Sequence, residues 1–317
     1  MNKVLVTGAN GFVGRALVQE LQVRGIAATG AVRGIAGPGQ CSVGDIGAHT
    51  DWRRALSGCD TVFHLAARVH VMADQDADPL AAYREVNVTA TLVLAHQAAA
   101  AGVRRFVFVS SVKVNGEATT AVPFRASDAP APCDPYGVSK MEAERALLAL
   151  AAGGQMEMVI VRPPLVYGPG VKANFLNLMK LVRLGLPLPF GSVRNRRSMV
   201  ALDNLVDLLI VCGTHRAAAG QVFMVSDGED LSMPDLVRLL GSAFGRRPLL
   251  LPVPASWLAG AARLAGKSAV AERVLGSLQV DIAATRATLG WSPPVTPAHA
   301  AFECVRHFEQ ARRNAQG

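Results

Sequence analysis

Lys3-Val4-Leu5-Val6-Thr7-Gly8-Ala9-Asn10-Gly11-Phe12-Val13-Gly14 joins a short apolar run to three glycines spaced three apart. Val4 to Val6 reads as a strand buried on both faces. From Arg15 to Val23, apolar residues recur at Leu17, Val18 and Leu21, which is helical spacing. A glycine-rich turn therefore links a strand to a helix. Gly8 permits the tight turn, Gly11 lets backbone approach a pyrophosphate, and Gly14 lets helix and strand pack closely. The helix amino end offers free N–H groups and a positive dipole end to an anion. The spacing is Gly-x-x-Gly-x-x-Gly rather than Gly-x-Gly-x-x-Gly. A glycine triplet alone says little, but between a first strand and a first helix it is a specific signal.

Outward from this stretch, strand-like runs recur at Ala28–Val32, Thr61–Leu65, Arg105–Ser110 and Met158–Arg162. Helical patterns near 51–57, 80–101 and 138–152 separate them. Alternating strand and helix predicts an α/β fold, a doubly wound parallel sheet covered on both faces. After Pro163-Pro164 the regularity weakens and loops gather at Gly168-Pro169-Gly170, 185–190 and 248–254. We expect residues 1–167 to bind a dinucleotide and residues 168–317 to form a smaller, irregular substrate domain. Residues 198–226, with a helix at Val206–Cys212 and a strand at Gln221–Val225, contribute again to the first.

Tyr136-Gly137-Val138-Ser139-Lys140 places a phenol and an ammonium four residues apart, on one helix face. A tyrosine near pKa 10 must drop roughly three units to act at neutral pH, or about 4 kcal/mol. A nearby cation in a partly desolvated site is of the right order to supply that.

Together, Thr7-Gly-x-x-Gly-x-x-Gly and Tyr136-x-x-x-Lys140 resemble the extended short-chain dehydrogenase/reductase superfamily, and within it the NAD-dependent epimerase/dehydratase group acting on nucleotide sugars. The resemblance implies a Rossmann-type fold. It assigns Gly8, Asn10, Gly11, Phe12, Val13 and Gly14 to the cofactor. It assigns to it likewise Asp45 and Ile46 of Gly44-Asp45-Ile46, Leu65, Ala66 and Ala67 after Phe63-His64, Asn87, Pro163, Tyr136 and Lys140. By the same resemblance Val107–Ser111 delivers the catalytic hydroxyl, Ser111. Tyr136 then handles the proton of a sugar hydroxyl or ketone. Lys140 lowers the Tyr136 pKa, Ser111 fixes the substrate oxygen, and Asn87 holds backbone around Lys140. Related 4,6-dehydratases carry Thr-Asp-Glu where this chain has Ser111-Val112-Lys113, so dehydration is not expected.

At the substrate end, by the same resemblance, Asn174, Arg197 and, more loosely, Arg273 match positions that touch the nucleotide diphosphate, and Phe190 is either a wall against the base or core. Arg suits phosphate geometry, and Arg194, Arg196 and Arg197 form a local positive cluster. Arg68 and His70 are placed beside the substrate pocket, His64 in the core, and Trp291 as packing. Strand two ends in Arg33, where NAD enzymes usually place an acid, and an Arg there suits the 2′-phosphate of NADP. NADP is therefore favoured over NAD. The leading expectation is reduction of a UDP-linked 4-keto-deoxyhexose for surface polysaccharide. A UDP-hexose 4-epimerase is the alternative, and a non-enzymatic dinucleotide sensor a third.

Composition agrees with a globular enzyme: 317 residues, 50% hydrophobic and 18% charged. No leader and no membrane-length apolar run are expected. Five scattered cysteines suit reduced thiols in the cytoplasm, and neither they nor the seven histidines have metal-ligand spacing. A net charge of +8, mostly from dispersed Arg, is weighed against nucleic-acid binding because aromatics are only 5%. A homodimer is the expected assembly.

Overall fold

The computed structural model describes residues 1–69 and 78–315. Strands β1 (Lys3–Thr7), β2 (Ala27–Val32), β3 (Gln40–Ser42), β4 (Thr61–His64), β5 (Arg105–Val109) and β6 (Glu157–Arg162) alternate with helices. The helices of this half are α1 (Phe12–Val23), α2 (Arg53–Leu56), α3 (Pro79–Arg84), α4 (Ala90–Ala100) and α5 (Pro135–Ala151). A π-turn over Glu85–Thr89 joins α3 to α4. There follow β7 (Leu165–Tyr167), α6 (Ala173–Leu184), β8 (Met199–Ala201), α7 (Leu202–Thr214) and β9 (Val222–Met224). The chain closes with α8 (Met233–Ala243), α9 (Ala255–Leu264), α10 (Ser268–Leu275), α11 (Ala283–Leu289) and α12 (Pro297–Asn314).

The seven-stranded sheet has the order β3-β2-β1-β4-β5-β6-β9, with every pairing parallel. Its central strands β1, β4, β5 and β6 are largely apolar because successive side chains enter different cores. Val4, Val6, Phe63, Val107, Val159 and Val161 face α1 and α7. Leu5, Val62, Phe106, Phe108, Met158 and Ile160 face α2, α4 and α5. The doubly wound α/β expectation holds. The later half, loosely patterned in sequence, is built mainly of short helices, and β7 pairs only with β8. A third core there gathers Phe175, Met179, Leu236, Leu240, Ala301 and Val305.

The glycine turn shows why its residues are fixed. Gly8 has φ +66°, and an added Cβ would sit 2.9 Å from Ala66 N. At Gly14 a Cβ would lie 2.1 Å from the Gly8 carbonyl oxygen, so α1 rests directly on the turn. Strand order reverses at β1, whose neighbours are β2 and β4. A crevice opens at such a switch point, beyond the strands' carboxyl ends.

One buried ion pair braces the end of β6 to α5. Arg162 Nη2 meets Glu144 Oε2 at 2.5 Å, with both side chains about 5% exposed or less, and its Nη1 reaches Asn115 Oδ1 at 3.1 Å. Removing one partner strands a buried charge. Arg162→Met is expected to cost about 3–5 kcal/mol in urea unfolding, and adding Glu144→Leu should recover most of that loss.

Candidate active site

The crevice is assembled from four loops. After β1, Thr7 Oγ1 accepts from Leu65 N and Ala66 N, both at 3.1 Å. A hydroxyl has two lone pairs and one proton. With both lone pairs taken, Thr7 donates to His64 Nδ1, 2.7 Å away. The network therefore assigns the proton of His64 to Nε2, which donates to Thr91 Oγ1 at 2.8 Å. His64 is buried, and burial followed by the charge of Lys140 lowers its pKa to about 3. It is a neutral core strut, as expected from sequence. No side chain caps α1 at Gly11. Its first-turn N–H groups face the crevice beside a glycine backbone, an arrangement suited to a pyrophosphate.

Beyond β2 and β3 two residues distant in sequence come together. Arg33 Nη1 and Asp45 Oδ1 lie 3.8 Å apart, and both side chains are more than 80% exposed. The acid lacking at the end of β2 thus arrives from the loop after β3. Ile46 packs against the α2–α4 core, and Asn10 Oδ1 accepts from Gln40 at 3.3 Å.

Asn87 sits in the π-turn, a distortion frequently found at functional sites. Its Oδ1 accepts from Arg68 N at 2.8 Å, and its Nδ2 donates to Arg68 O and to Ser139 Oγ, both at 3.0 Å. Ser139 Oγ in turn donates to Tyr136 O at 2.8 Å. Asn87 therefore ties the loop after β4 to the α5 turn carrying Tyr136 and Lys140. Arg68 lies over the Tyr83 ring at 5.5 Å, and Tyr83 stands edge-on to Tyr136 with centroids 6.1 Å apart. Sequence reading missed Tyr83 and Ser139. Their signal was their helical register with Asn87 and Tyr136, legible only once α3 and α5 are known to touch. His70 lies outside the described residues.

Helix α5 starts at Asp134, whose carboxylate accepts from Gly137 N at 2.6 Å. Asp134 is also bonded by Lys113, which reaches Glu117 as well at 2.8 Å. Lys113 is thus a clamp on the cap of the catalytic helix, and Val112 is buried. Neither can supply a dehydratase carboxylate. Val112 N donates to Pro163 O at 3.0 Å, fixing the Ser111 loop against the end of β6. Ser111 Oγ accepts from Lys113 N at 3.2 Å, and it lies close enough to the Tyr136 hydroxyl to lower that phenol's pKa. The neighbouring Ser110 Oγ is buried and has no partner among the described residues.

Lys140 corrects one expectation. Burial, then the negative charge of Asp134, pushes the Tyr136 phenol up rather than down, and only Ser111 opposes this. The Lys140 ammonium donates to Val109 O at 2.9 Å and lies over the Phe108 ring at 4.4 Å. Burial brings its own pKa down to about 7, partly offset by Glu144. The protein's own groups therefore place Ser111, Tyr136 and Lys140 together but do not by themselves activate the phenol. Tyr136 is half-buried and does not face open solvent.

The substrate-end residues separate into two sets. Arg197 Nη1 donates to Arg273 O at 2.8 Å and Gly276 O at 3.1 Å. Burial lowers its pKa, and no carboxylate among the described residues offsets that. A cation held this way, on carbonyls alone, suits an incoming anion. Arg273 itself is exposed at the end of α10. Asn174 is exposed in the first turn of α6, beside Ala173, which has the positive φ of 54°. Phe190 is partly buried and packs on the third core. Trp291 is packed, as expected, with Nε1 donating to Asp207 at 2.8 Å.

Lys140 yields a test with a definite sign. Its folded pKa lies near 7 and its ordinary value near 10.5, so between these pH values the unfolded chain carries the extra proton. Wild-type stability should then climb relative to Lys140→Met from pH 7 to 10.5, by on the order of 1.4 kcal/mol per pH unit. Below pH 7 the difference should be constant. Parallel urea titrations of the two proteins across this range measure it. A flat difference throughout would show that Lys140 titrates normally.

The model of the NAD dependent epimerase/dehydratase family matches residues 4–226. A UDP-glucose 4-epimerase of Vibrio cholerae is 48% identical over 97% of this chain and 96% of its own length. The N-acetyl-α-D-glucosaminyl-diphospho-ditrans,octacis-undecaprenol 4-epimerase of Escherichia coli O157:H7 is 29% identical over 82% of this chain and 78% of its own. Among solved structures, MoeE5 in complex with UDP-glucose and NAD superposes with a TM-score of 0.76 at 26% identity, covering 98% of this chain and all of that one. Given this match and the glycine turn, Ser111, Tyr136 and Lys140 gathered at one crevice, the chain belongs to the NAD-dependent epimerase/dehydratase family and is an NAD-dependent enzyme of the short-chain dehydrogenase/reductase type.

Proposed function

We propose that this protein is a nucleotide-sugar 4-epimerase acting on a UDP-hexose, the reading ranked second from sequence. The carrying observation is Ser111 set beside the Tyr136 hydroxyl, with Lys140 one helical turn on, in a chain 48% identical to a UDP-glucose 4-epimerase. NAD, held by the glycine turn and the uncapped start of α1, supplies a site for hydride removal and return.

The chain's own part is to bind, orient and move a proton. Tyr136 Oη takes the proton of the sugar 4-hydroxyl and gives it back. Ser111 Oγ donates to the same oxygen and holds it in place. Lys140, turned from Val109 O toward the crevice, supplies the positive charge that the phenol needs. Arg197 and Arg273 bind the diphosphate, Asn174 stands at its side, and Phe190 shapes the wall. The cofactor is held by residues 1–167 with 198–226, and the substrate by the remainder.

We infer NAD rather than NADP as the working cofactor, because Asp45 shares the charge of Arg33. That same Arg33 favours a second reading, an NADPH-dependent 4-keto reductase. The five free thiols support a reducing compartment such as the cytoplasm.

Interconversion of UDP-glucose and UDP-galactose without added cofactor is the expected result. Oxidation of external NADPH by a UDP-4-keto-6-deoxyhexosamine, without epimerisation, would instead establish the reductase. Tyr136→Phe should lower turnover by at least about 100-fold while dinucleotide affinity, read by fluorescence titration, stays nearly unchanged. Undiminished turnover in this variant would remove Tyr136 from the chemistry.

A further inference from the structure

Helix α9 has no fully buried residue. Its inner face, Ala255, Leu258 and Ala262, is partly covered, with Leu258 packing on the third core. Its outer face is apolar too: Trp257, Gly260, Ala261 and Leu264 recur at i, i+3, i+4 and i+7. Trp257 is 72% exposed and Leu264 92%. The other two tryptophans, Trp52 and Trp291, are 5% exposed or less. A tryptophan and a leucine in line on an open helix face have no role in the fold.

The apolar surface continues beyond α9. Residues 186–191 run beside 249–251, with Leu188 N donating to Leu249 O at 2.9 Å and Leu251 N to Leu188 O at 2.8 Å. Arg246 Nη1 reaches Arg183 O at 2.8 Å, binding the end of α6 to the same strip. Leu184, Leu186, Leu249 and Leu251 are all exposed along it.

Charge decides what such a face can meet. Residues 180–200 and 242–275 together hold ten Lys and Arg against one acid, Glu272, an excess of nine, whereas the whole chain's excess is eight. The basicity of the protein is therefore gathered on these segments rather than dispersed. Arg183 is engaged by Glu309, and Arg197 is turned onto backbone carbonyls. Arg246, Arg247, Arg263 and Lys267 are exposed around the apolar stripe. A second copy docking here would set like charges against like. An anionic surface with an apolar interior satisfies both features, and indole suits its boundary.

We propose that α9 with the adjoining 184–191 and 246–251 strips is a peripheral docking surface for an anionic phospholipid bilayer, with Trp257 and Leu264 entering the headgroup boundary. No helix among the described residues is long and apolar enough to cross a membrane, so the contact is reversible and lies in the plane of the surface. The proposal does not depend on which reaction the crevice performs. Arg273, on α10 packed against α9, places the diphosphate end of the candidate site at the border of this surface.

The experiment is co-sedimentation of the full chain with vesicles of phosphatidylglycerol and phosphatidylethanolamine, and separately of phosphatidylcholine. Binding is expected to the anionic vesicles only, with a blue shift of Trp257 emission and weakening in high salt. Trp257→Glu with Leu264→Glu, both exposed positions, should weaken binding at least about tenfold, as should Arg263→Glu with Lys267→Glu. Melting temperature and NAD affinity should stay unchanged in both variants, which separates lost docking from lost folding. Equal binding to phosphatidylcholine would overturn the proposal. So would no binding to either vesicle, or a dimer that Trp257→Glu with Leu264→Glu dissociates.

Discussion

Two crevice loops are held to one another by the hydroxyl of Thr7. It takes the amides of Leu65 and Ala66 and gives its proton to His64, which passes the chain of bonds to Thr91 on α4. The loops after β1 and β4 are thereby locked at the point where the strand order turns. The glycine turn depends on the same closeness, because Gly8 has no room for a side chain against Ala66. In a low-dielectric interior such a fully satisfied network is rigid, and any missing member leaves a buried polar atom unpaired. The catalytic groups are built outward from this fixed pair of loops.

From there the order passes to α5 through Asn87. A π-turn displaces this residue so that its amide serves Arg68 and Ser139 at once. Lys113 and Asp134 hold the start of α5 from the other side. Tyr136 is thus positioned by its neighbours' backbone and by the helix cap, and its hydroxyl is left to Ser111. The ammonium of Lys140 rests in reserve on Val109, at a pKa where a small change of environment decides its charge.

Much of this was legible along the chain because it depends on local spacing. Five of the six strands of the first half (all but the short β3), the glycine turn and the Tyr136–Lys140 step are patterns of period or interval. His64 as core followed from its apolar strand, whereas Asn87 as a tether followed from the family resemblance. Other calls needed neighbours that the chain order hides. Asp45 stands twelve positions after Arg33, and only the return of β3 beside β2 sets the two charges face to face. Reading Arg33 alone leaves this neighbouring charge out. The direction of the Tyr136 shift was misjudged likewise, because burial is a collective property.

The distribution of charge shows the boundary most clearly. Sequence alone determined that this is a basic, doubly wound α/β protein with a dinucleotide turn and a tyrosine–lysine pair, since each follows from composition or from intervals of a few residues. Tertiary structure alone decided that Lys140 bonds Val109, that Asp45 meets Arg33, and that leucines and arginines far apart in the chain share one face. The reason is physical: desolvation and Coulomb interactions depend on distances in space, and folding sets those between segments the chain keeps apart.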